Sequence, residues 1–536
     1  METATQTLHR LTSYQPGRDW DEAIDDPRIV QDLEANDMSR LPWFIKRYAE
    51  RAAVTPLPRE LPGTTEPAVA VLAGAADVEP APIDLPNLSR LLYLSAGVVR
   101  IMERDYGIHP FRAAGSAGGR FPLELYVSAP PGGALPPGVH WYDPLEHALV
   151  RIGPPPHGGS AGGGRPAVLV TGIPWRTGWR YRERGYRHIY WDAGTMLAQL
   201  LALADSAGLP ARLYTRFPDA EVAALTGADQ VHEFPVAVVA LGEAPPALGA
   251  AGPAARGEVD VAPLEFPLVT AAQRAGESDR LGPAWDRGRP VRVPGVAGPP
   301  VESVIAARGS QRRMDASRGL SRDLLHTSMS VAVRGIGLPH WVVAHDVGGL
   351  DPGVYRWPDL TAPVRPGTMR DELYRVCLEQ ALGRDAAFVA IATADIERLG
   401  DAEYRDAQLA AGLAEGRLHL AAYALGASAS GMTFDDSQVP ALLGEPVDGL
   451  LFTCVGVPLY PNAPAGPSRR PSTHVMIMGS FGTYTVETAH DHGSATPALH
   501  VHASLCIYLQ PCPRFSAPCP SANASASPSP AVSTPR

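Results

Sequence analysis

The 536-residue sequence is short of cysteine, of basic charge and of long apolar runs. Of its five cysteines, Cys377 and Cys454 lie in the body and Cys506, Cys512 and Cys519 near the end, and no pair has CxxC spacing. So sparse and odd a set excludes a disulfide scaffold and a zinc site of the usual thiolate spacing. Lys and Arg, 46 together, are outnumbered by 56 Asp and Glu, which leaves a net charge of −10. Nucleic-acid and anionic-membrane binders normally carry a basic face, so neither partner is expected. The apolar run 196–204 is too short to cross a bilayer, and Gln199 interrupts it. Met1 to Trp20 lacks the apolar stretch of a secretory signal, which predicts a cytoplasmic protein.

Apolar residues make up 45% of the chain, enough for two or three domains of roughly 100–200 residues each. The chain also repeats itself. Gly138-Val139-His140-Trp141-Tyr142 returns as Gly353-Val354-Tyr355-Arg356-Trp357, an offset of 215 (138 to 353). Phe217-Pro218-Asp219 returns as Phe434-Asp435-Asp436, an offset of 217 (217 to 434), and the strand ending at Gly242 returns at Gly456, an offset of 214 (242 to 456). The apolar run Ala167–Gly172 has a like run at Ala387–Ala392. A near-constant offset of this length means duplicated domains rather than solenoid units. Two like domains can pack about a pseudo-two-fold axis, with a shared site that draws different parts from each.

The repeat divides the chain into an N-terminal arm (1–84), a first domain (85–242), a crossover rich in Pro, Gly and Ala (243–300), a second domain (301–470) and a tail (471–536). Leu41-Pro42-Trp43-Phe44-Ile45 is an apolar patch by which the arm could dock. Leucines at helical spacing predict a helix over 85–108, followed by a strand at 123–127 and a hairpin over 137–153. A buried strand at 167–172, a long helix over 186–207 ended by Gly208-Leu209-Pro210, and a strand at 235–241 complete the first copy. The second is expected to hold helices near 301–307, 320–333, 371–382 and 403–426, with strands near 340–345, 387–393 and 450–456. Each copy is thus an α+β layer structure, a mixed sheet flanked by helices. In the tail, alternating histidines (His490 and His492, His500 and His502) make a metal site conceivable. The shift to Ser, Pro, Ala, His and Cys reads instead as a nonfunctional extension, disordered from Ser521 onward, and no metal site is expected.

Two motifs carry chemistry, one in each copy. Arg308-Gly309-Ser310-Gln311-Arg312-Arg313 brackets a serine with guanidiniums at the end of a short helix. Forked N–H donors and a hydroxyl in that pattern suit a phosphate, and a solvated basic turn is the plain alternative. The first copy has no such element, Arg90 standing in an ordinary helix. It has Arg112-Ala113-Ala114-Gly115-Ser116-Ala117-Gly118-Gly119-Arg120-Phe121, a small-residue loop that leads into a strand. Its glycines would let backbone approach a flat or anionic ligand closely.

These strings, with the repeat, resemble the nitroreductase-like flavoprotein family. More narrowly they resemble its SagB-type dehydrogenase branch, some members of which oxidise azolines in modified peptides. The resemblance covers most of 85–242 and 301–457. It departs from the family loop at Ala113 and Gly115, where prolines are usual, and at Phe121, where Tyr is usual. It implies two tandem nitroreductase-like domains forming an intramolecular pseudo-dimer, with FMN at their interface. Arg308, Gly309, Ser310 and Arg312 would hold the phosphate and ribityl chain, and Ser430, Gly431 and Met432 would approach the ring. Ser116, Ala117, Gly118 and Arg112 would come from the other half. One complete site per chain follows, the converse site lacking both elements.

The family's azoline oxidases place a basic residue, often Lys, before a Tyr linked to proton removal. Here Tyr181 matches the Tyr as the catalytic candidate, and Arg180 stands where Lys would be. The plain alternative is that Tyr181 and Tyr186 are core-edge aromatics and the nearby arginines contact the fused half or an acidic substrate. The implied activity is an FMN-dependent oxidoreductase acting on a small molecule or modified peptide, with NADH or NADPH as a candidate reductant. A noncatalytic flavin-binding or scaffold protein in a peptide or natural-product modification system, and a flavin-independent member, are the alternatives.

Overall fold

The computed structural model describes residues 2–16, 29–30, 33–49, 53–158, 164–293 and 297–462. The tail with its histidines and Cys506, Cys512 and Cys519 lies outside the described residues.

The first helix, α1 (Ala4–Thr12), starts behind Thr3, whose hydroxyl accepts the Gln6 amide while the Gln6 side chain returns to the Thr3 amide. It docks on the far half of the chain, since Asp401 Oδ1 accepts both the amide and hydroxyl of Thr5. The apolar patch at 41–45 docks on the near half: Trp43 and Phe44 give their carbonyls to Arg176 and Arg112. After β1 (Val54–Pro56) and α2 (Ala68–Ala73), α3 (Leu85–Ala96) buries Leu88, Leu91 and Leu92. The helix expected to reach 108 stops here. Gly97 ends it, and Val98–Arg104 (β2) and Gly107–Arg112 (β3) form an antiparallel hairpin. Val98, Val99 and Ile101 are β-branched, and Gly107 turns the chain at φ 103°, so strand preference overrides the leucine spacing upstream.

The next strands are β4 (Leu123–Ala129), β5 (Gly138–Asp143), β6 (Ala148–Gly153) and β7 (Ala167–Gly172). Helices α4 (Pro174–Tyr181) and α5 (Gly185–Ser206) lead to β8 (Ala211–Tyr214), α6 (Asp219–Thr226) and β9 (Phe234–Leu241). The sheet order is β1-β6-β5-β4-β7-β9-β8. Within the crossover, Pro267–Ala275 forms α7, whose Gln273 accepts from the Tyr190 hydroxyl.

The second half opens with α8 (Val301–Ala307), the two-residue β10 (Leu320–Ser321) and α9 (Arg322–Ala332). Strands β11 (His340–Ala344), β12 (Val347–Gly348), β13 (Gly353–Arg356) and β14 (Arg365–Pro366) follow. The helix expected over 371–382 is two short ones, α10 (Arg370–Val376) and α11 (Ala381–Asp385). Leu378 and Glu379 have φ of 56° and 57°, outside the helical range, and break it. Then come β15 (Phe388–Ala394), α12 (Asp401–Ala424), β16 (Ser428–Met432), α13 (Val439–Leu443) and β17 (Asp448–Gly456).

The second sheet runs β14-β13-β11-β15-β17-β16, and the repeat is legible in its topology. In both halves a central strand (β7, β15) leads through a long helix (α5, α12) to an edge strand (β8, β16). A short helix (α6, α13) then returns to the strand between them (β9, β17). The echoed GVHWY string and, but for Trp357, the GVYRW string occupy β5 and β13, each paired antiparallel with the strand beside the centre. These are two tandem nitroreductase-like domains, each a mixed sheet flanked by helices.

The long helices α5 and α12 pack against each other between the sheets, buried along most of their length. Across this junction Asp436 accepts from Arg184 and Arg187 at 2.6 Å each, so this part of the arginine cluster meets the fused half. Cys377 and Cys454 are buried and unpaired. Among the described residues no helix is long and apolar enough to cross a membrane.

Candidate functional site

A cavity of about 1370 Å³ opens where the two halves meet. All the residues expected at a cofactor site line it: Arg112, Ser116, Ala117, Gly118 and Tyr181 from the first half, and Arg308, Gly309, Ser310, Arg312, Ser430, Gly431 and Met432 from the second.

The first-half loop is held from beneath. Ser116 Oγ donates to Asp192 Oδ2 at 2.5 Å, the Ala117 amide donates to Asp192 Oδ1 at 2.9 Å, and the Phe121 amide closes the loop onto Ser116 Oγ at 2.8 Å. Asp192 projects from α5. Burial pushes its carboxyl up to about 7, against the pull of those two hydrogen bonds. Gly118 is left-handed at φ 60°, and a β-carbon there would stand 2.7 Å from the Tyr181 hydroxyl and 2.8 Å from Arg180 Cδ. Glycine is therefore required twice over, by conformation and by space. The Tyr181 ring meets the His188 ring edge-on at 4.0 Å. Burial and the guanidiniums of Arg184 and Arg187 hold His188 well below its usual range, so that it stays neutral.

The second-half loop leaves α8 at Arg308, whose guanidinium reaches back across the junction. It donates to the Ala113 carbonyl and, at 3.1 Å, to Gln199 Oε1 on α5. Gly309 is fixed by its carbonyl, which accepts from the Tyr423 hydroxyl at 2.8 Å and lies 3.0 Å from His419 Nε2. Behind His419 sits Glu415, 3.2 Å from its Nδ1, accepting also from Thr195 Oγ1 at 2.6 Å. Burial pushes the Glu415 carboxyl up, but the hydrogen bonds from His419 and Thr195 and the charge of Arg308 outweigh it and hold the carboxyl below its usual range. Ser430, Gly431 and Met432 run along edge strand β16, where a β-carbon on Gly431 would be 3.4 Å from Glu415 Oε1.

Arg112 lines the cavity, but its guanidinium is committed within its own half. It donates to the Leu123 carbonyl at 2.7 Å and to Glu124 at 3.3 Å. Arg90 is likewise absorbed by Leu203, Ser206 and Glu302. Tyr186 is fully buried in the core, away from the cavity lining. Lys46 is the one lysine of the sequence; it is buried against Glu233 and the Tyr126 hydroxyl, so no lysine amine reaches the cavity.

Sequence reading missed Asp192, Glu415, His419 and His188. The available signal was the spacing of His188 with Asp192 and of Glu415 with His419, each four apart on one helix face. Among the described residues no group of three or more His, Cys, Asp or Glu is placed to hold a metal ion.

No protein-family model matches the chain. A Methanocaldococcus jannaschii protein assigned as a nitroreductase is 28% identical over 171 residues, which span 30% of this chain and 81% of that one. The crystal structure of a protein from Anabaena variabilis, also assigned as a nitroreductase, matches 85% of this chain and 100% of its own at 24% identity, with a TM-score of 0.64. One from Ralstonia eutropha matches 37% of this chain and 93% of its own at 22% identity, with a TM-score of 0.29. The fold is therefore nitroreductase-like. The Anabaena protein shares it over both halves of this chain and not over one alone.

Proposed function

We propose that this chain is an FMN-dependent oxidoreductase of the SagB-type dehydrogenase branch, with one cofactor site assembled from its two unlike halves. The observation that carries the reading is the convergence, in one cavity, of a guanidinium-and-serine loop from one half and a small-residue loop from the other. The donor set suits the group: Arg308, Arg312 and Ser310 offer forked and hydroxyl donors to a phosphate. Gly115, Gly118 and Gly119 leave a wall without side chains against which a flat ring can lie. The cavity exceeds the roughly 300–1,000 Å³ of ordinary small-molecule pockets, which leaves space for a substrate beside the cofactor.

FMN, when bound, supplies hydride or electron transfer. The chain's own residues position and protect. His419 and Tyr423 pin Gly309 and with it the phosphate loop, Asp192 pins the Ser116 loop, and Phe111, Phe121 and Trp191 exclude water. The Tyr181 hydroxyl, at the edge of the Gly118 turn, is the group that gives or takes a proton from substrate. The neighbouring Arg180 carries a guanidinium, a poor general base, where the family's azoline oxidases often have Lys.

The test is the visible spectrum of the purified protein, with released flavin identified and counted per chain, for wild type and for Arg308→Ala/Arg312→Ala. About one FMN per chain, lost in the double variant, is expected. Two per chain overturn the single composite site, and none, even after reconstitution, overturns the cofactor reading. A noncatalytic flavin-binding or scaffold role is the second reading, favoured by Arg180 in place of a base and by the burial of the only lysine. Reduction of the bound flavin by NADH or NADPH decides against it.

A further inference from the structure

Much of the buried positive charge in this molecule is balanced on the spot. Arg90 meets Glu302 at 2.9 Å, Arg176 and Arg112 share Glu124, Arg184 and Arg187 share Asp436, and Arg405 meets Asp219 at 3.2 Å. One region of the cavity wall departs from this habit. Arg100 and Arg180 line it, Arg120 follows the Gly118–Gly119 turn and Arg104 acts on the neighbouring His109, and among the described residues none of the four forms an ion pair with a carboxylate.

Arg180 runs along one flank of the turn, and its guanidinium donates to neutral Asn36 at 3.3 Å. On the other flank His109 Nε2 would lie 3.3 Å from a β-carbon on Gly119, and Arg100 lies over the Phe111 ring at 4.6 Å. Behind them Arg120 is buried between Phe44 and Trp179, donates Nε to the Arg176 carbonyl, and leaves its Nη2 without a hydrogen-bond partner. The accumulated charge is felt locally. Burial and the Arg180 charge bring Arg120 down to about 9, while burial and the charges of Arg120, Arg104 and Arg100 bring His109 down to about 4. Like charges held half out of water repel, and a single carboxylate would relieve them. Among the described residues the nearest carboxylate to the turn, Asp192, is taken by Ser116 and Ala117 and pairs with none of the four arginines, and an anionic ligand would supply a counter-charge.

On the reading above, the cofactor phosphate is taken by Arg308, Ser310 and Arg312 of the other half, so this cluster faces a second molecule. Phosphates are usually gathered by free backbone N–H groups as well as by side chains. Here four of those groups are spent: the amides of Ala117, Gly119, Arg120 and Phe121 donate to Asp192, the Ser116 carbonyl, the Ala117 carbonyl and Ser116 Oγ. The cavity lining beside the turn then offers the guanidiniums of Arg100 and Arg180 together with the rings of Phe121 and Tyr181. We propose that the substrate carries a carboxylate held by Arg100 and Arg180, with its flat apolar part against Phe121 and Tyr181. The word substrate rests on the oxidoreductase reading; the carboxylate site itself does not.

The test is calorimetric titration of the purified protein with phenylacetate, phenylacetamide and pyrophosphate, for wild type, Arg100→Gln and Arg100→Gln/Arg180→Gln, with flavin per chain and melting temperature measured on every sample. Phenylacetate is expected to bind at least tenfold more tightly than the amide and to weaken with added salt. The double variant should lose at least tenfold in phenylacetate affinity at unchanged melting temperature, and the single variant should fall between. Equal binding of acid and amide, or full binding in a folded double variant, overturns the proposal. Binding of pyrophosphate but not phenylacetate also overturns it and assigns the cluster to a phosphate. Flavin present without phenylacetate binding sinks this proposal alone. Phenylacetate binding that depends on the two arginines in a flavin-free protein upholds it and sinks the cofactor reading.

Discussion

Gly194 on α5 and Gly412 on α12 are each pressed against the backbone of the other's helix. A β-carbon on Gly194 would fall 2.3 Å from the Leu409 carbonyl oxygen, and one on Gly412 would fall 2.4 Å from that of Trp191. The two glycines are 218 residues apart (194 to 412), and so are Trp191 and Leu409 (191 to 409). The contacts are therefore images of each other about a pseudo-two-fold axis, the intrachain counterpart of an isologous dimer contact. Backbone cannot rotate away from an added methyl as a side chain can. Gly194→Ala and Gly412→Ala are each expected to cost at least about 1–3 kcal/mol. Thermal unfolding of both variants checks this, and an unchanged midpoint in either would show that the helices can part there without penalty.

Asp192 should give the protein a distinctive pH response. Its carboxyl is raised to about 7 in the folded chain from an ordinary 3.8, so the folded state holds this proton more tightly than the unfolded one. The stability it contributes is complete below about pH 4 and is lost as pH rises through 7. Asp192→Asn keeps the shape and removes the titration, so its melting temperature relative to wild type should rise between pH 5 and pH 8. Asp192→Ala strips the acceptor from Ser116 and Ala117 and should destabilise at both pH values, by about 1–3 kcal/mol. A wild-type-to-Asn difference that stays flat across this range would mean that the carboxyl titrates elsewhere.

The extent to which this site was legible in the sequence follows from what each residue does. Strands β7, β9, β15 and β17 are apolar runs of the length a buried strand needs, and their echo at a constant offset exposed the duplication. The loop residues were legible because Gly, Ser and Arg at such density serve few structural ends. Asp192, Glu415 and His419 were not, because polar residues four apart on a long helix have the same pattern whether they cap a neighbour or support a loop. The hairpin of β2 and β3 was hidden by leucines upstream whose helical period ends at Ala96. That no carboxylate among the described residues pairs with Arg100 or Arg180 is a fact of three-dimensional neighbours, and no spacing in the chain encodes it.

Gly309 is held twice, by His419 and by Tyr423, at one carbonyl oxygen. Either His419→Ala or Tyr423→Phe alone should cost about 0.5–1.5 kcal/mol, since the other donor remains. The two together should cost more than their sum, because the carbonyl is then left without either donor. A double-mutant cycle read by urea unfolding gives the coupling. Strict additivity would show that the two donors act independently on the loop.

Asp436 is the charge that ties the halves together. Burial alone would push its carboxyl up, but Arg184 and Arg187 overcome this and hold it at about 2, and it also accepts the Tyr14 amide at 2.7 Å. Its contribution to stability is therefore complete above about pH 4 and disappears as pH falls toward 2. Asp436→Asn leaves two buried guanidiniums facing each other without a counter-charge, which should cost about 3–5 kcal/mol at neutral pH. Most of that loss is the stranded charge and not the loss of a favourable bond. Adding Arg184→Met and Arg187→Met to Asp436→Asn should thus restore part of the stability. If the triple variant unfolds more readily than Asp436→Asn alone, the arginines contribute through the carbonyls of His9 and Thr12, which they also reach, and the ion triad is not what joins the halves.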